Sequence, residues 1–313
     1  MSPDPSIRLH PEVTAALSDG GAVVALESTI ISHGLPTESS AEVARRIEAA
    51  VRESGAVPAT IAVLDGAVRV GLDDDSLDRV ATDPTVVKAS IRDLGVVLAS
   101  RLAGATTVAS TAYLANRVGI GVFATGGLGG VHRGAQDSWD ESADLPALGD
   151  IPITLVCAGV KSILDVPATL ERLETLSVAV VGYRTDAFPG FYIRDSGETV
   201  PWRLDDVRDI AATMRQRRDL GLRQALVVAN PIDAADEMDR PLHDETLASG
   251  LTALARADVH GKDVTPFLLA HFHEHSQGRS LAANIALVLS NARLAGEIAV
   301  AAATGESSDP AAR

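Results

Sequence analysis

Cys157 is the only cysteine in the chain of 313 residues. One thiol excludes an intrachain disulfide and any zinc or iron–sulfur site that needs several thiolates, and it suits a reducing compartment. Aromatic residues are almost as scarce, with five Phe, three Tyr and two Trp; the abundant Ala, Val and Leu instead describe a core of small, closely packed helices and strands. Basic charge is in deficit, 27 Lys and Arg against 42 Asp and Glu, for a net charge of −15. No basic stripe is present to neutralise phosphates, which argues against nucleic acid as a partner. Anionic substrates stay open, because a site uses local charge. The chain also lacks an uninterrupted apolar run of about 18 residues, the length of a spanning helix. Met1–His10 has no basic region leading into an apolar core. Together these absences predict a soluble, cytoplasmic protein with no membrane partner. No repeat or low-complexity linker divides it, so a single domain is expected over residues 1–304, followed by a disordered tail at 305–313.

The segments present alternate. "GAVVALEST" (21–29) is a continuous apolar run of the kind covered on both faces of a sheet. "TESSAEVARRIEAAVRESG" carries Ala44, Ile47 and Val51 at helical spacing. "ATIAVLDGAVRVG" reads as a hairpin, because Asp65-Gly66 suits a two-residue turn with positive φ at both positions. A helix at 105–118, the strand "IGVFATGG", a polar loop at 126–150 and the strand "ITLVCAG" follow. The helix "PATLERLETL", the strand "VAVVGY", a helix at 205–220 and the strand "QALVVANP" complete the alternating part. The rest, from Asp244 to Thr304, reads as helical, with Thr265 capping "TPFLLAHFHEH" and Pro266 as its first residue. The pattern predicts a three-layer α/β/α fold around a central mixed β-sheet, with the hairpin able to project from it.

Lys161 lies just past a strand end in "VCAGVKSILD", where open α/β sheets place their sites and where small residues let a ligand approach the backbone. A lysine at a helix start with its head in water is the plain alternative. Glu27 closes the run "VVAL" ahead of Ser28, Thr29, Ser32 and His33; it is either a turn cap or, if desolvated, a proton donor. "ATGGLGGVHRG" (124–134) misses G-x-G-x-x-G, whose last glycine position is His132, and it is no phosphate loop of the Walker type. Its free amides, His132 and Arg133 can still hold a phosphate or a heterocycle. "DSWDESAD" (137–144) sets out Asp137, Asp140, Glu141 and Asp144, either as oxygen ligands for a hard divalent ion or as a solvated acidic turn. Lys88 interrupts the apolar residues of "TVVKASIRDL", where Arg92 and Asp93 are expected to pair at the surface. "HFHEH" lacks the H-E-x-x-H order and reads as solvated or packed.

Taken in order, "ALESTIISHGLP", "ATIAVLDG", "GATTVAST", "VFATGGLGGVHRGA", "DESADL", "VCAGVKSILD", "VVANPI" and "KDVTPFLLA" resemble the pseudouridine-5′-phosphate glycosidase family, which includes indigoidine synthase A-like proteins. The resemblance covers about residues 10 to 300. It implies reversible cleavage of pseudouridine 5′-phosphate to uracil and ribose 5-phosphate, assisted by Mn²⁺, in a homotrimer. By motif it implies Lys161 as nucleophile, Glu27 as proton donor and Asp140 as the metal-linked carboxylate. Lys88, Val108, Ser142, Ala143 and Asp144 match substrate-binding positions, and His132 and Asn284 match positions near the active site. Ile91 in "KASIRDL" stands where relatives are expected to carry a basic residue. Two other readings of the same residues exist, a sugar or nucleoside kinase, which would consume ATP, and a non-enzymatic small-molecule binder, which would release no uracil.

Overall fold

Val23–Leu26 is buried at every position, as a strand with both faces covered must be. The computed structural model describes residues 6–259 and 264–305. Its strands are β1 (Ile7–Leu9), β2 (Val23–Leu26), β3 (Val57–Leu64), β4 (Ala67–Val70), β5 (Val87–Ala89), β6 (Gly104–Thr106), β7 (Val122–Ala124), β8 (Thr154–Cys157), β9 (Ala179–Tyr183), β10 (Trp202–Leu204) and β11 (Leu226–Ala229). They form one mixed sheet in the order β1-β4-β3-β2-β7-β8-β11-β9-β10, with β6 pairing β3 and β5 pairing β6. Helices flank this sheet. Thr37–Glu53 and Val207–Asp219 pack along Arg279–Thr304, which covers β2, β7 and β8, while Val108–Arg117 lies against β2, β3 and β6. The expected three-layer α/β/α architecture is the one observed.

β3 divides the sheet. Its residues Val57 to Thr60 pair in parallel with β2, whereas Ile61 to Leu64 pair antiparallel with β4, and Ala62 and Val63 antiparallel with β6. β5 runs parallel to β6. β2 and β6 therefore meet carboxyl end to carboxyl end along one edge of β3. Ser28 Oγ and Thr106 Oγ1 each donate to the Ile61 carbonyl at 2.6 Å, and Thr106 N donates to Ser28 Oγ at 2.8 Å. Buried hydroxyls thus take up backbone groups that a continuous ladder would have paired.

The hairpin turn is as expected, with Asp65 at φ 54° and Gly66 at φ 78°. It does not project, however: β4 is held between β3 and β1, because the eight residues of β3 are long enough to serve two sets of neighbours. The helix expected at 105–118 begins at Val108 behind the cap Thr107, and Gly104–Thr106 is strand. The loop expected at 126–150 contains two short helices, Ala135–Ser138 and Asp144–Leu148. Thr265 lies inside a helix that starts at Val264, so it is not the cap; Pro266 still falls in the first turn, where its missing N–H is no loss. Residues 306–313 of the expected tail lie outside the described residues, as do Lys262 and Asp263 of "KDVTPFLLA".

Arg279–Thr304, at 26 residues with a hydropathy of 1.5, is long and apolar enough to cross a membrane. Asn284, Asn291, Arg293 and Glu297 break its apolar run in the sequence. In the fold it is a core helix, with Ala292, Ala295 and Ile298 fully buried.

Arg240–Ala257 precedes Val264–His275, and His243 on the first packs against Phe272 on the second, 5.8 Å between ring centroids. Its Nδ1 lies 2.8 Å from Asp244 Oδ1, while its buried Nε2 has no partner. Burial lowers the His243 pKa from 6.5, helped by Arg240 and Arg133 and opposed by Asp244. The unfolded chain then binds the proton more readily than the fold. The resulting stability is complete above the unfolded value of about 6.5 and is lost as pH falls from there through the lowered folded value. Thermal melting of wild type against His243→Phe between pH 7.5 and 5 should show the smaller decline in the variant; identical slopes would remove His243 as a source of acid sensitivity.

Candidate active site

The opposed strand ends define the site. Glu27 follows β2, Thr125 and Gly126 follow β7, and Lys161 lies four residues past β8. From the opposite direction come Lys88 in β5 and Val108 just beyond β6. Between them lies a cavity of about 350 Å³. Glu27, Lys88, Val108, His132, Asp140, Ser142, Ala143, Asp144, Lys161 and Asn284 all line it.

Glu27 is 7% exposed, and its two carboxylate oxygens accept hydrogen bonds from Thr29 and Thr125 hydroxyls. It caps no helix: the N-cap of Thr29–His33 is Ser28. Lys161 is half-buried, its own N–H donating to the Leu128 carbonyl at 3.2 Å, and no carboxylate among the described residues forms an ion pair with its ammonium. Cys157, last residue of β8, is the nearby alternative nucleophile in sequence. Complete burial pushes its thiol up to about 12, which leaves it inert at neutral pH.

The glycine-dense segment is tightly packed. Leu128 N donates to the Gly159 carbonyl, Gly129 N to Asp144 Oδ2, Val131 N to Thr169 Oγ1 and His132 N to the Asp140 carbonyl. These four amides are consumed internally and are not free for a phosphate, while Gly126 and Gly127 line the cavity. Gly129 is required because a Cβ there would run into Ser142 and Asp144. Arg133 is not among the cavity-lining residues, whereas Arg92, paired with Asp93 at 3.6 Å, is.

Each acidic residue of "DSWDESAD" finds a different partner. Glu141 pairs with Arg172 at 3.0 Å, and Asp137 sits in a short exposed helix. Asp144, 6% exposed, accepts from Ala109 N at 3.0 Å and Gly129 N at 2.9 Å, so it ties the start of Val108–Arg117 to the glycine segment. Asp140 faces the cavity with its Oδ2 3.8 Å from His132 Nδ1. Burial holds His132 below its usual value, against Asp140 and with the help of Lys88 and Lys161. No three His, Cys, Asp or Glu side chains converge on a metal position among the described residues. A hard ion at Asp140 fits only if water and ligand oxygens supply most of its shell, which is the usual habit of small divalent ions in phosphate sites. His271 and His275 stack at 3.9 Å, with His271 Nε2 at 2.9 Å from Ser249 Oγ, away from the cavity.

The lining residue Phe191, and Thr125 and Asn291 behind the cavity wall, were not singled out by the sequence. Asn291 Nδ2 donates to the Thr125 and Gly126 carbonyls at 2.8 and 3.2 Å, and its Oδ1 accepts from Asn230 at 3.0 Å. Asn284 Oδ1 is buried without a partner beside the cavity.

Fold and cavity define a three-layer α/β/α protein that gathers amines, imidazoles and one clamped carboxylate where strand ends converge. Residues 12–301 match the family of indigoidine synthase A-like proteins, and the chain belongs to that family. It is 57% identical over 298 residues to pseudouridine-5′-phosphate glycosidase of Salinispora tropica, covering 95% of this chain and 92% of the relative. The enzyme of the same name from Symbiobacterium thermophilum is 51% identical over 300 residues, covering 95% and 97%. Among solved structures, the prealnumycin C-glycosynthase AlnA in complex with ribulose 5-phosphate superposes with a TM-score of 0.90 at 39% identity, covering 97% of this chain and 99% of that one. An indigoidine synthase A-like protein of Thermotoga maritima gives 0.83 at 38% identity, covering 94% and 95%.

Proposed function

We propose that the chain is a pseudouridine-5′-phosphate glycosidase that reversibly cleaves its substrate to uracil and ribose 5-phosphate. The observation that carries this reading is the make-up of one cavity, which sets the cations Lys88, Arg92 and Lys161 beside Asp140, Glu141 and Asp144 and opposite a buried Glu27. Cations able to face a phosphate thus share one site with a clamped carboxylate, and the relatives at 51–57% identity carry the same activity in their names.

The bond to be broken joins two carbons, so the protonated leaving oxygen of ordinary glycoside hydrolysis is missing. A lysine supplies another route. Glu27 gives a proton to the ribose ring oxygen as the neutral Lys161 amine bonds to C1′ and the C1′–O4′ bond opens. The nitrogen, cationic after bonding, gives up a proton, and uracil carbon 5 takes one up. The freed nitrogen lone pair then forms a C1′=N bond while the C1′–C5 electrons pass to the uracil ring. Water hydrolyses this Schiff base, releasing ribose 5-phosphate and the free lysine. Lys88, the Val108 backbone and Ser142 to Asp144 bound the substrate, with His132 and Asn284 at its edge. Asp140 would hold Mn²⁺, whose charge would offset that of the phosphate. With the resemblance come a homotrimeric assembly, a cytoplasmic location and a single domain over residues 1–304.

Incubation with pseudouridine 5′-phosphate should release uracil, detected by mass, with no ATP required. Chelation, and separately Asp140→Asn, should depress that release, with Mn²⁺ restoring only the chelated wild type. Absence of uracil at any metal concentration would sink the reading; full activity after chelation and in Asp140→Asn would remove the metal from it.

A further inference from the structure

The Glu27 carboxylate does not stand alone in the cavity wall. Thr29, 9% exposed, and Thr125, 1% exposed, reach it from two different segments, one following β2 and one following β7, and each hydroxyl donates to a different oxygen. Two donors on two oxygens fix both the rotation of the carboxylate plane and the direction of its free lone pairs. Behind Thr125 stands Asn291, fully buried, which holds the Thr125 carbonyl at 2.8 Å and is itself held by Asn230 at 3.0 Å. The clamp is thereby anchored through β7 to the long C-terminal helix and to the end of β11.

We propose that Thr29 and Thr125 are positioning residues that orient Glu27 for proton transfer. This rests on Glu27 being the acid of the proposed reaction. The ionisable groups that line the same cavity are His33, Lys88, Arg92, His132, Asp140, Glu141, Asp144 and Lys161. Thr29 and Thr125 each donate to one oxygen of the Glu27 carboxylate, which makes the threonines a local lever on its orientation. Valine has nearly the shape of threonine and no hydroxyl, which makes it the informative replacement, while serine keeps the donor.

The test compares kcat and KM of uracil release for wild type, Thr29→Val, Thr125→Val, Thr125→Ser and Glu27→Gln, with melting temperatures recorded alongside. Loss of one hydrogen bond to the carboxylate should lower kcat by about 10- to 100-fold, with KM little changed. Thr125→Ser should recover most of the rate. Glu27→Gln inactive with both valine variants at wild-type kcat would overturn the clamp while leaving Glu27 in place. Glu27→Gln fully active would instead overturn the role of Glu27, and the clamp with it. A rate loss in the valine variants with a fallen melting temperature, a raised KM and no serine rescue would make the threonines structural and overturn the proposal.

Discussion

Lys161→Ala is expected to lose on the order of 10³-fold or more in uracil release, because removal of a covalent nucleophile leaves only binding and electrostatics behind. Lys161→Arg separates the two roles. Its guanidinium keeps the positive charge that the cavity presents to a phosphate but stays protonated and cannot attack carbon. It should therefore bind ribose 5-phosphate and still fail to turn over. Borohydride added with ribose 5-phosphate should reduce an imine on wild type, adding the mass of the sugar phosphate to the peptide that contains Lys161. Neither variant should be labelled there. A labelled peptide elsewhere, or turnover by the arginine variant near the wild-type rate, would reduce Lys161 to a binding residue. Its placement favours the nucleophilic role: it is half-buried and free of ion pairs among the described residues, in the same cavity as the cationic Lys88.

The second large effect concerns Asp144, whose carboxylate joins two parts of the cavity wall. Ala109 N and Gly129 N each donate to one of its oxygens. Asp144→Asn keeps the volume but replaces one acceptor by an NH₂ that faces an N–H donor. Losing one charge-assisted bond and leaving a buried amide unpaired costs about 2–4 kcal/mol, which for a chain of this size corresponds to a fall in Tm of roughly 3–6 °C. Catalysis should fall too, because the Val108 turn and the Gly129 segment both bound the substrate space. An unchanged Tm, measured by calorimetry at pH 7, would show that the clamp contributes nothing to the fold.

How far the site was legible differs residue by residue. Lys161 announced itself through position, at a strand end behind small residues, and Glu27 through its place at the close of an apolar run. Asp144 looked like one of four interchangeable acids. Only the fold separates it, buried on two amides, from Glu141 on Arg172 and from Asp140 at the cavity edge. The glycines of "TGGLGG" suggested amides offered to a phosphate. Close packing is their role at Gly127, Gly129 and Gly130, where a Cβ would meet neighbouring side chains, and the amides of Leu128, Gly129, Val131 and His132 are already bonded within the protein.

Periodicity and turn chemistry, which are local, determined the alternation of strands and helices, the Asp65-Gly66 hairpin and the mixed character of the sheet. Strands of three residues such as Val87–Ala89 and Gly104–Thr106 carry no period to read, and their pairing with β3 is a long-range event. That pairing sets β6 against the end of β2, and this junction turns two parallel sets of strand ends toward one cavity. The sequence by itself thus determined which side chains the chain had available for chemistry. Tertiary structure alone decided which of them face one another, because residues as distant in sequence as Glu27, Thr125 and Asn291 meet only where the sheet and its last helix close on each other.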